Sequence, residues 1–142
     1  MDPTKPNIAF VDSQRIKQAL LNIFINSIDA MPKGGKLKIS TCIQSPSAIQ
    51  QWLQITIADT GYGINPKDLP HIFDPFFSQK DNGTGLGLSI TRTIILEHSG
   101  KIEAKSTPKK GTRFIISLPL SSPKNQIPPV SNNSNNALAG KG

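Results

Sequence analysis

Apolar residues recur with two periods along this chain, and the alternation of the two lays out its elements. Ile16, Leu20, Ile23, Phe24 and Ser27/Ile28 recur at the 3.6-residue spacing of a helix, and Gln18, Asn22, Asn26 and Asp29 follow as a polar stripe beside them. Asp12 or Ser13 can cap this helix, which is predicted to run to about Met31 and stop at Pro32-Lys33-Gly34-Gly35. Upstream, Pro6 to Val11 reads as a short edge strand with Ile8 and Phe10 on one face. Downstream the period falls to two. Leu37, Ile39 and Thr41 alternate with Lys38, Ser40 and Cys42, which predicts a half-buried strand. After a turn over Ser45 to Ile49, Trp52 to Ala58 carries Leu53, Ile55 and Ile57 inward, so the two strands form a hairpin. A second helix is predicted from Leu86 to His98, with Leu88, Thr91, Ile94 and Ile95 on its apolar side and Gly100 at its end. Lys101 to Ser106 and Arg113 to Leu118 make a second hairpin around Pro108-Lys109-Lys110-Gly111. Strand, helix, hairpin, helix, hairpin predicts an α/β two-layer sandwich: a mostly antiparallel, mixed sheet with helices on one face.

Two segments fit neither period. Asp59 to Gly87 joins the first hairpin to the second helix and is too long for a passive connection. Its cluster Phe73-Asp74-Pro75-Phe76-Phe77 argues against simple disorder. After Leu120 the chain turns to Ser, Asn, Pro and Gly, so residues 121–142 read as a disordered tail or linker, residues 1–7 as an N-terminal extension, and 8–120 as one domain. The single Cys42 leaves no internal disulfide and no cysteine-based metal cluster. No apolar run approaches the roughly 20 residues of a membrane span, and the N-terminus has no signal-peptide core. A reducing, cytoplasmic setting fits, with any membrane anchor belonging to a longer protein. The net charge of +7 raises the question of nucleic acid, but the basic residues are spread along the chain without interleaved aromatics. That reading is the weakest, and an anionic ligand or acidic partner accounts for the charge as well.

The chemistry collects at three places. A carboxamide at the edge of an apolar face costs about 1–3 kcal/mol if it finds no partner. One such Asn commonly bonds backbone across a helix–sheet seam. Asn22 and Asn26, one turn apart and followed by Asp29, suggest the wall of a polar pocket. Asp59 shares the parity of Leu53, Ile55 and Ile57 and so points to the helix-covered side, and Gly61 and Gly63 follow it. A carboxylate there can accept a hydrogen bond from an exocyclic amine such as that of adenine, although Asp59-Thr60-Gly61 by itself reads equally as a turn. Asn82-Gly83-Thr84-Gly85-Leu86-Gly87-Leu88 runs into the second helix, where free backbone N–H groups and the helix dipole suit an anion. It matches neither the P-loop spacing nor the dinucleotide fingerprint; the plainer reading is a hinge before a helix. Lys80 stands just upstream as a candidate phosphate contact, or as one more solvated lysine.

Each signal is weak alone. In this order they are specific. Asn-x-x-x-Asn on a first helix, Asp-x-Gly-x-Gly after a strand, Phe-x-Pro-Phe-Phe, then Gly-x-Gly-x-Gly-Leu into a second helix resembles the catalytic and ATP-binding domain of sensor histidine kinases. This is the Bergerat or GHKL fold, shared with gyrase, mismatch-repair and heat-shock chaperone ATPases, and the resemblance covers about residues 8–120. It implies Mg²⁺-ATP as the bound species. It makes Asn26 the Mg²⁺ ligand, Asn22 its companion on the phosphate side, and Asp59 the reader of adenine. Gly61 and Gly63 become a first glycine box, and Gly83, Gly85 and Gly87 a second. Ile64, Thr84, Leu86 and Leu88 stand beside these glycines at the nucleotide. Phe73, Pro75, Phe76 and Phe77 match an F box in a lid, and Lys80 a lid lysine aimed at the phosphates. His98, Gly100, Gly111, Thr112 and Phe114 match positions with structural roles.

Two departures matter. Hydrolytic members of the wider fold carry Glu where this chain has Asn22, and an amide cannot take a proton from water. Transfer to a histidine needs no such base, because a neutral imidazole nitrogen is already nucleophilic and the rest is positioning and charge neutralisation. Some histidine kinases carry Lys where this chain has Asp29. Neither His71 nor His98 has the acceptor pattern of His followed by an acid on a dimerisation helix. The implied activity is therefore γ-phosphate transfer from ATP to a histidine on a dimerisation domain outside this sequence, in the same or a partner kinase, and through it to a response regulator. No nucleic acid and no membrane segment enter that scheme. Two alternatives stand beside it: an anti-sigma-factor-type serine kinase of the same fold, and a nucleotide-sensing interaction module without transfer activity.

Overall fold

The computed structural model describes residues 11–77 and 87–120. The predicted strand over Pro6 to Val11 falls almost wholly outside the described residues, as do the N-terminal extension and the 121–142 tail. The described elements run α1 (Ser13–Asp29), β1 (Leu37–Gln44), β2 (Gln51–Asp59), α2 (Gly87–Glu97), β3 (Lys101–Thr107) and β4 (Gly111–Leu120), with one turn of 3₁₀ helix at Leu69–His71. The strands form one sheet in the order β1-β2-β4-β3, and each neighbouring pair is antiparallel. Two sequential hairpins lie side by side, joined through β2 and β4, and both helices cover one face.

Strand parity decides which residues meet the helices. Ile57 lies opposite Ile39 on β1 and Phe114 on β4, and cross-strand partners share a face. Ile57, Phe114, Ile116, Leu118 and Leu120 of that parity are buried, whereas Arg113, Lys101, Glu103 and Lys105 of the other parity are exposed. The core forms where Ala19 and Ile23 of α1 and Thr91, Ile94 and Ile95 of α2 meet this face. Fully burying one such isoleucine stabilises the fold by about 1.5–3 kcal/mol.

Local chemistry sets the ends of α1. The Asp12 carboxylate caps it, accepting from the N–H groups of Gln14 (3.1 Å) and Arg15 (3.3 Å). The Asp12 N–H donates to His98 Nε2 at 3.0 Å, and His98 Nδ1 lies 2.8 Å from the Ile94 carbonyl. With a carbonyl at one nitrogen and a donor at the other, His98 carries its proton on Nδ1. It ties the start of α1 to the end of α2, a structural role. Arg15 and Glu97 pair across the same seam.

Three expectations need correction. The helix ends at Asp29, with Ala30 as its cap, rather than at Met31. The Ala30 N–H reaches both the Asn26 and Ser27 carbonyls, and Met31 N–H reaches back only three residues, so the last turn tightens ahead of Pro32. Of the pair Ser27/Ile28, Ser27 is the buried one and Ile28 is 59 % exposed. The inner stripe continues Ala19, Ile23, Ser27, Ala30, and successive residues 100° apart cannot share it. The first hairpin strand is less buried than its alternation suggests. Ile39 is 52 % exposed, because β1 pairs only with β2 among the described residues and lies beyond the cover of α1 and α2.

Candidate functional site

Ala30, just past α1, packs on Gly61 just past β2, and Gly111 at the start of β4 lies against Asp59. Asp59 is the last residue of β2, and its parity turns the carboxylate inward, leaving 6 % of the residue exposed. Oδ1 accepts from the N–H groups of Gly61 at 2.8 Å and Thr112 at 3.2 Å. Oδ2 is buried and has no partner among the described residues. A buried carboxylate oxygen without a donor is unfavourable by about 1–3 kcal/mol or more. Asp59 is thus held in one orientation by two backbone donors, with an open acceptor left over.

The glycines around it allow close approach. Gly61 lies against Ala30 at the end of α1, where a Cβ would collide with the Ala30 carbonyl and methyl, and the neighbouring Tyr62 N–H donates to that same carbonyl at 3.1 Å. Gly63 adopts φ +76° and leaves no room for a Cβ beside Thr107 and Pro108, so the strand–loop junction seats directly on the second hairpin turn. That seat is closed by Lys109 N–H to Tyr62 C=O at 2.6 Å. Ile64 is buried, and its N–H donates to Ser106 Oγ, which also bonds the Gly111 carbonyl and Thr112 Oγ1. Sequence reasoning placed Thr112 as merely structural; its N–H is one of the two donors that orient Asp59. The signal was present in the register, since Asp59 and Thr112 extend the β2–β4 ladder by one pair beyond Ala58–Arg113.

The second glycine stretch is described only from Gly87. Lys80, Gly83, Thr84, Gly85 and Leu86 lie outside the described residues. Gly87 opens α2, and its carbonyl accepts from Asn22 Nδ2 at 3.2 Å and from Thr91 Oγ1 at 2.9 Å. Thr91 Oγ1 also lies 3.4 Å from the Ala19 carbonyl. Asn22 therefore spans from α1 to the first turn of α2, beside the N–H groups that open that helix. Asn26 is one turn further along the same side of α1 and half-buried, while Asp29 is exposed at the helix end. Leu88 packs partly into the core.

The aromatic cluster divides. Phe73 packs edge-on against Phe114, with centroids 6.4 Å apart and an interplanar angle of 74°. It packs against the core. Phe77 is half-buried, and Phe76, at φ +67°, is 77 % exposed. Among the described residues no three His, Cys, Asp or Glu side chains form a metal-binding group. No described helix is long and apolar enough to cross a membrane.

Comparison with known proteins identifies the family and the fold. Residues 11–122 match the family described as histidine kinase-, DNA gyrase B-, and HSP90-like ATPase. Sporulation kinase D of Bacillus subtilis is 39 % identical over 117 residues, 82 % of this chain but 22 % of the relative. The signal transduction histidine-protein kinase AtoS of Escherichia coli is 44 % identical over 115 residues, 81 % of this chain and 18 % of the relative. The chain thus spans about a fifth of the length of these relatives. Among solved structures, the nucleotide-free catalytic domain of histidine kinase ThkA superposes with a TM-score of 0.67 at 37 % identity, covering 78 % of this chain and 70 % of that one. The mycobacterial sensor histidine kinase MprB gives 0.70 at 27 % identity, covering 80 % and 77 %.

Proposed function

This chain belongs to the histidine kinase-, DNA gyrase B- and HSP90-like ATPase family, and from that premise we propose that it is the Mg²⁺-ATP-binding part of a sensor histidine kinase. It would supply the γ-phosphate to a histidine on a separate dimerisation domain, which in turn serves a response regulator. The observation that carries the reading is the open, buried Oδ2 of Asp59. A donor that arrives with a ligand can complement it, and the exocyclic amine of adenine is one.

Each residue then has a task. Asp59 accepts from the base amine while Gly61 and Thr112 keep its other oxygen occupied. Asn22 holds the N-terminal turn of α2 against α1, so that the backbone N–H groups following the second glycine box stay aimed at the phosphates. Asn26 offers a carbonyl oxygen to Mg²⁺, a metal that binds few protein ligands and completes its shell with phosphate oxygens and water. Bound there, Mg²⁺ supplies neutralisation of the phosphate charge. Lys80, Gly83, Thr84, Gly85 and Leu86 complete the phosphate cradle in this reading, and Phe76 presents an aromatic face to the acceptor domain. Asn22 donates its amide N–H and cannot serve as a base for water, which favours transfer over hydrolysis.

The test is direct. The chain is incubated with labelled Mg²⁺-ATP and a histidine-bearing helical domain from a candidate partner kinase. Acid-labile, alkali-stable label on that domain is expected. Acid-stable label on serine would move the assignment to a serine kinase of the same fold, and ATP binding without transfer to any such domain would leave a nucleotide-sensing module.

A further inference from the structure

The face of the sheet turned away from the helices carries charge that the proposed function leaves unused. Lys38, Ala58, Arg113 and Lys105 all have the outward parity, and the register sets them in one row. Lys38 lies opposite Ala58, Ala58 opposite Arg113, and Arg113 opposite Lys105. The three cations of that row are exposed. Like charges directly opposite one another on a sheet are unfavourable. Charged residues often guard sheet edges, which accounts for Lys38 and Lys105 on the outer strands of the described sheet. It does not account for Arg113, on β4 between β2 and β3. Glu103 shares the face two residues along β3, opposite Ile115, but makes no ion pair with Lys105 or Arg113 among the described residues.

The row borders an open cavity of about 350 Å³ at the turn end of β3 and β4, lined in part by Ala58, Lys105, Thr107, Lys110 and Arg113. Ala58 offers only a methyl group, and Lys110, in the exposed turn, adds a further cation. Asp59 also borders the cavity. Its carboxylate is buried on the helix-covered side, with Oδ1 bonded to the Gly61 and Thr112 N–H groups. Trp52, the aromatic residue of outward parity among the described strands, stands three rows away, and Lys101 Nζ already lies 5.1 Å from its ring centroid.

We propose that this uncovered face is a docking site for an acidic segment of a partner protein, its carboxylates received by Arg113, Lys105, Lys110 and Lys38. Strands lie about 4.8 Å apart, so the row from Lys38 to Lys105 spans roughly 14 Å, the length of about four extended residues. One small anion cannot reach across it. Single-stranded nucleic acid wants stacking rings beside its cations, and the row has none. The Arg113 guanidinium can take a carboxylate through two parallel hydrogen bonds. The site lies across the sheet from the Asp59 carboxylate and does not depend on the nucleotide reading.

The test uses the full chain and a fluorescein-labelled ten-residue peptide of alternating glutamate and serine, followed by anisotropy at low ionic strength, where exposed ion pairs are least screened. Binding that weakens as salt is added and is unchanged by saturating Mg²⁺-ADP is expected. Arg113→Gln should weaken it about 2- to 5-fold, the scale of one exposed ion pair. Lys105→Glu with Arg113→Glu should weaken it at least about 10-fold, since attraction becomes repulsion. Lys110→Glu, outside the strand ladder, repeats the test without touching the sheet and should also weaken binding. Lys17→Glu with Arg92→Glu makes the same change of net charge on the two helices and should leave the affinity within about 2-fold, inside the range of one exposed ion pair. Absence of peptide binding, or equal weakening by the helix and sheet variants, would overturn the proposal. So would displacement of the peptide by oligothymidylate or inorganic phosphate at lower concentrations than by unlabelled peptide, which would make the face a nucleic-acid or free-anion site.

Discussion

The two ends of the candidate site are built differently. At the Asp59 end nearly every polar group is tied to protein: Oδ1 to Gly61 and Thr112, Ser106 to Ile64, Gly111 and Thr112, and the Gly63 turn to the second hairpin. Two buried oxygens, Asp59 Oδ2 and Ser27 Oγ, are the exceptions, without a hydrogen-bond partner among the described residues. At the Asn26 end the groups sit half-exposed on one side of α1, with Asn22 bonded to the Gly87 carbonyl at the start of the second helix. A base is flat and uncharged and needs a fixed, dry edge. A metal triphosphate brings its own charge and water and needs room to enter and leave. The difference predicts that changes at the Asp59 end act mostly through the fold, and changes at the Asn26 end mostly through the ligand.

Gly111→Ala should break the fixed end most severely. Gly111 has φ +127°, and a Cβ there would run into the Asp59 carbonyl and Thr60. Strain of that backbone region adds about 1–3 kcal/mol to the steric cost. The expected total exceeds about 3 kcal/mol, seen as a large drop in melting temperature or failure to fold. A melting temperature near that of the unsubstituted chain would mean that the β2–β4 junction is softer than it looks.

Asn26→Ala should give the opposite signature. Folding is expected to change by less than about 0.5 kcal/mol, as for a half-exposed polar residue without a core role, while Mg²⁺-dependent transfer falls by at least about 100-fold, the scale of removing one group that stabilises transition-state charge. Melting curves with and without Mg²⁺-ATP supply the check apart from turnover: stabilisation by the nucleotide should shrink in the variant. Ordinary transfer by this variant would remove the metal role from Asn26. Asp59→Asn lies between the two extremes. It keeps an acceptor for the Gly61 and Thr112 N–H groups but loses charge and turns an N–H₂ toward the incoming amine, so ATP should bind about 1–3 kcal/mol more weakly, measured by titration.

The same contrast explains what could be read from sequence. Alternation gave the inner parity of Ile57, and with it Asp59, because a period of two propagates without error along a short strand. The helix positions of Asn22 and Asn26 follow as simply. The sequence pattern left three things obscure. Ile39 looked half-buried because alternation reports a face, not whether another layer covers it. Ser27 was indistinguishable from Ile28, since hydrophobicity favoured the isoleucine while the inner stripe of the helix passes through the serine. Thr112 was passed over because it acts through its backbone N–H, which every residue except proline possesses. Phe73 read as one of an aromatic group, and only its contact with Phe114 separates it from exposed Phe76.

The smallest expected effect falls on the link between the two ends. Asn22 Nδ2 donates to the Gly87 carbonyl, which Thr91 also serves, so Asn22→Ala removes one bond and leaves the acceptor satisfied. The loss of stability should be only about 0.5–1.5 kcal/mol. If the bond also aligns the opening turn of α2 for phosphate, ATP affinity should fall by a similar amount while adenosine, which carries no phosphate, binds as before. Asn22→Asp sharpens the point. A carboxylate cannot donate to the Gly87 carbonyl and would repel both that oxygen and an incoming triphosphate, so it should weaken ATP more than alanine does, with adenosine again unaffected. Equal losses for ATP and adenosine would show that Asn22 supports the whole pocket and not its phosphate end, and the division between a fixed base corner and a ligand-completed phosphate end would lose its sharpest boundary.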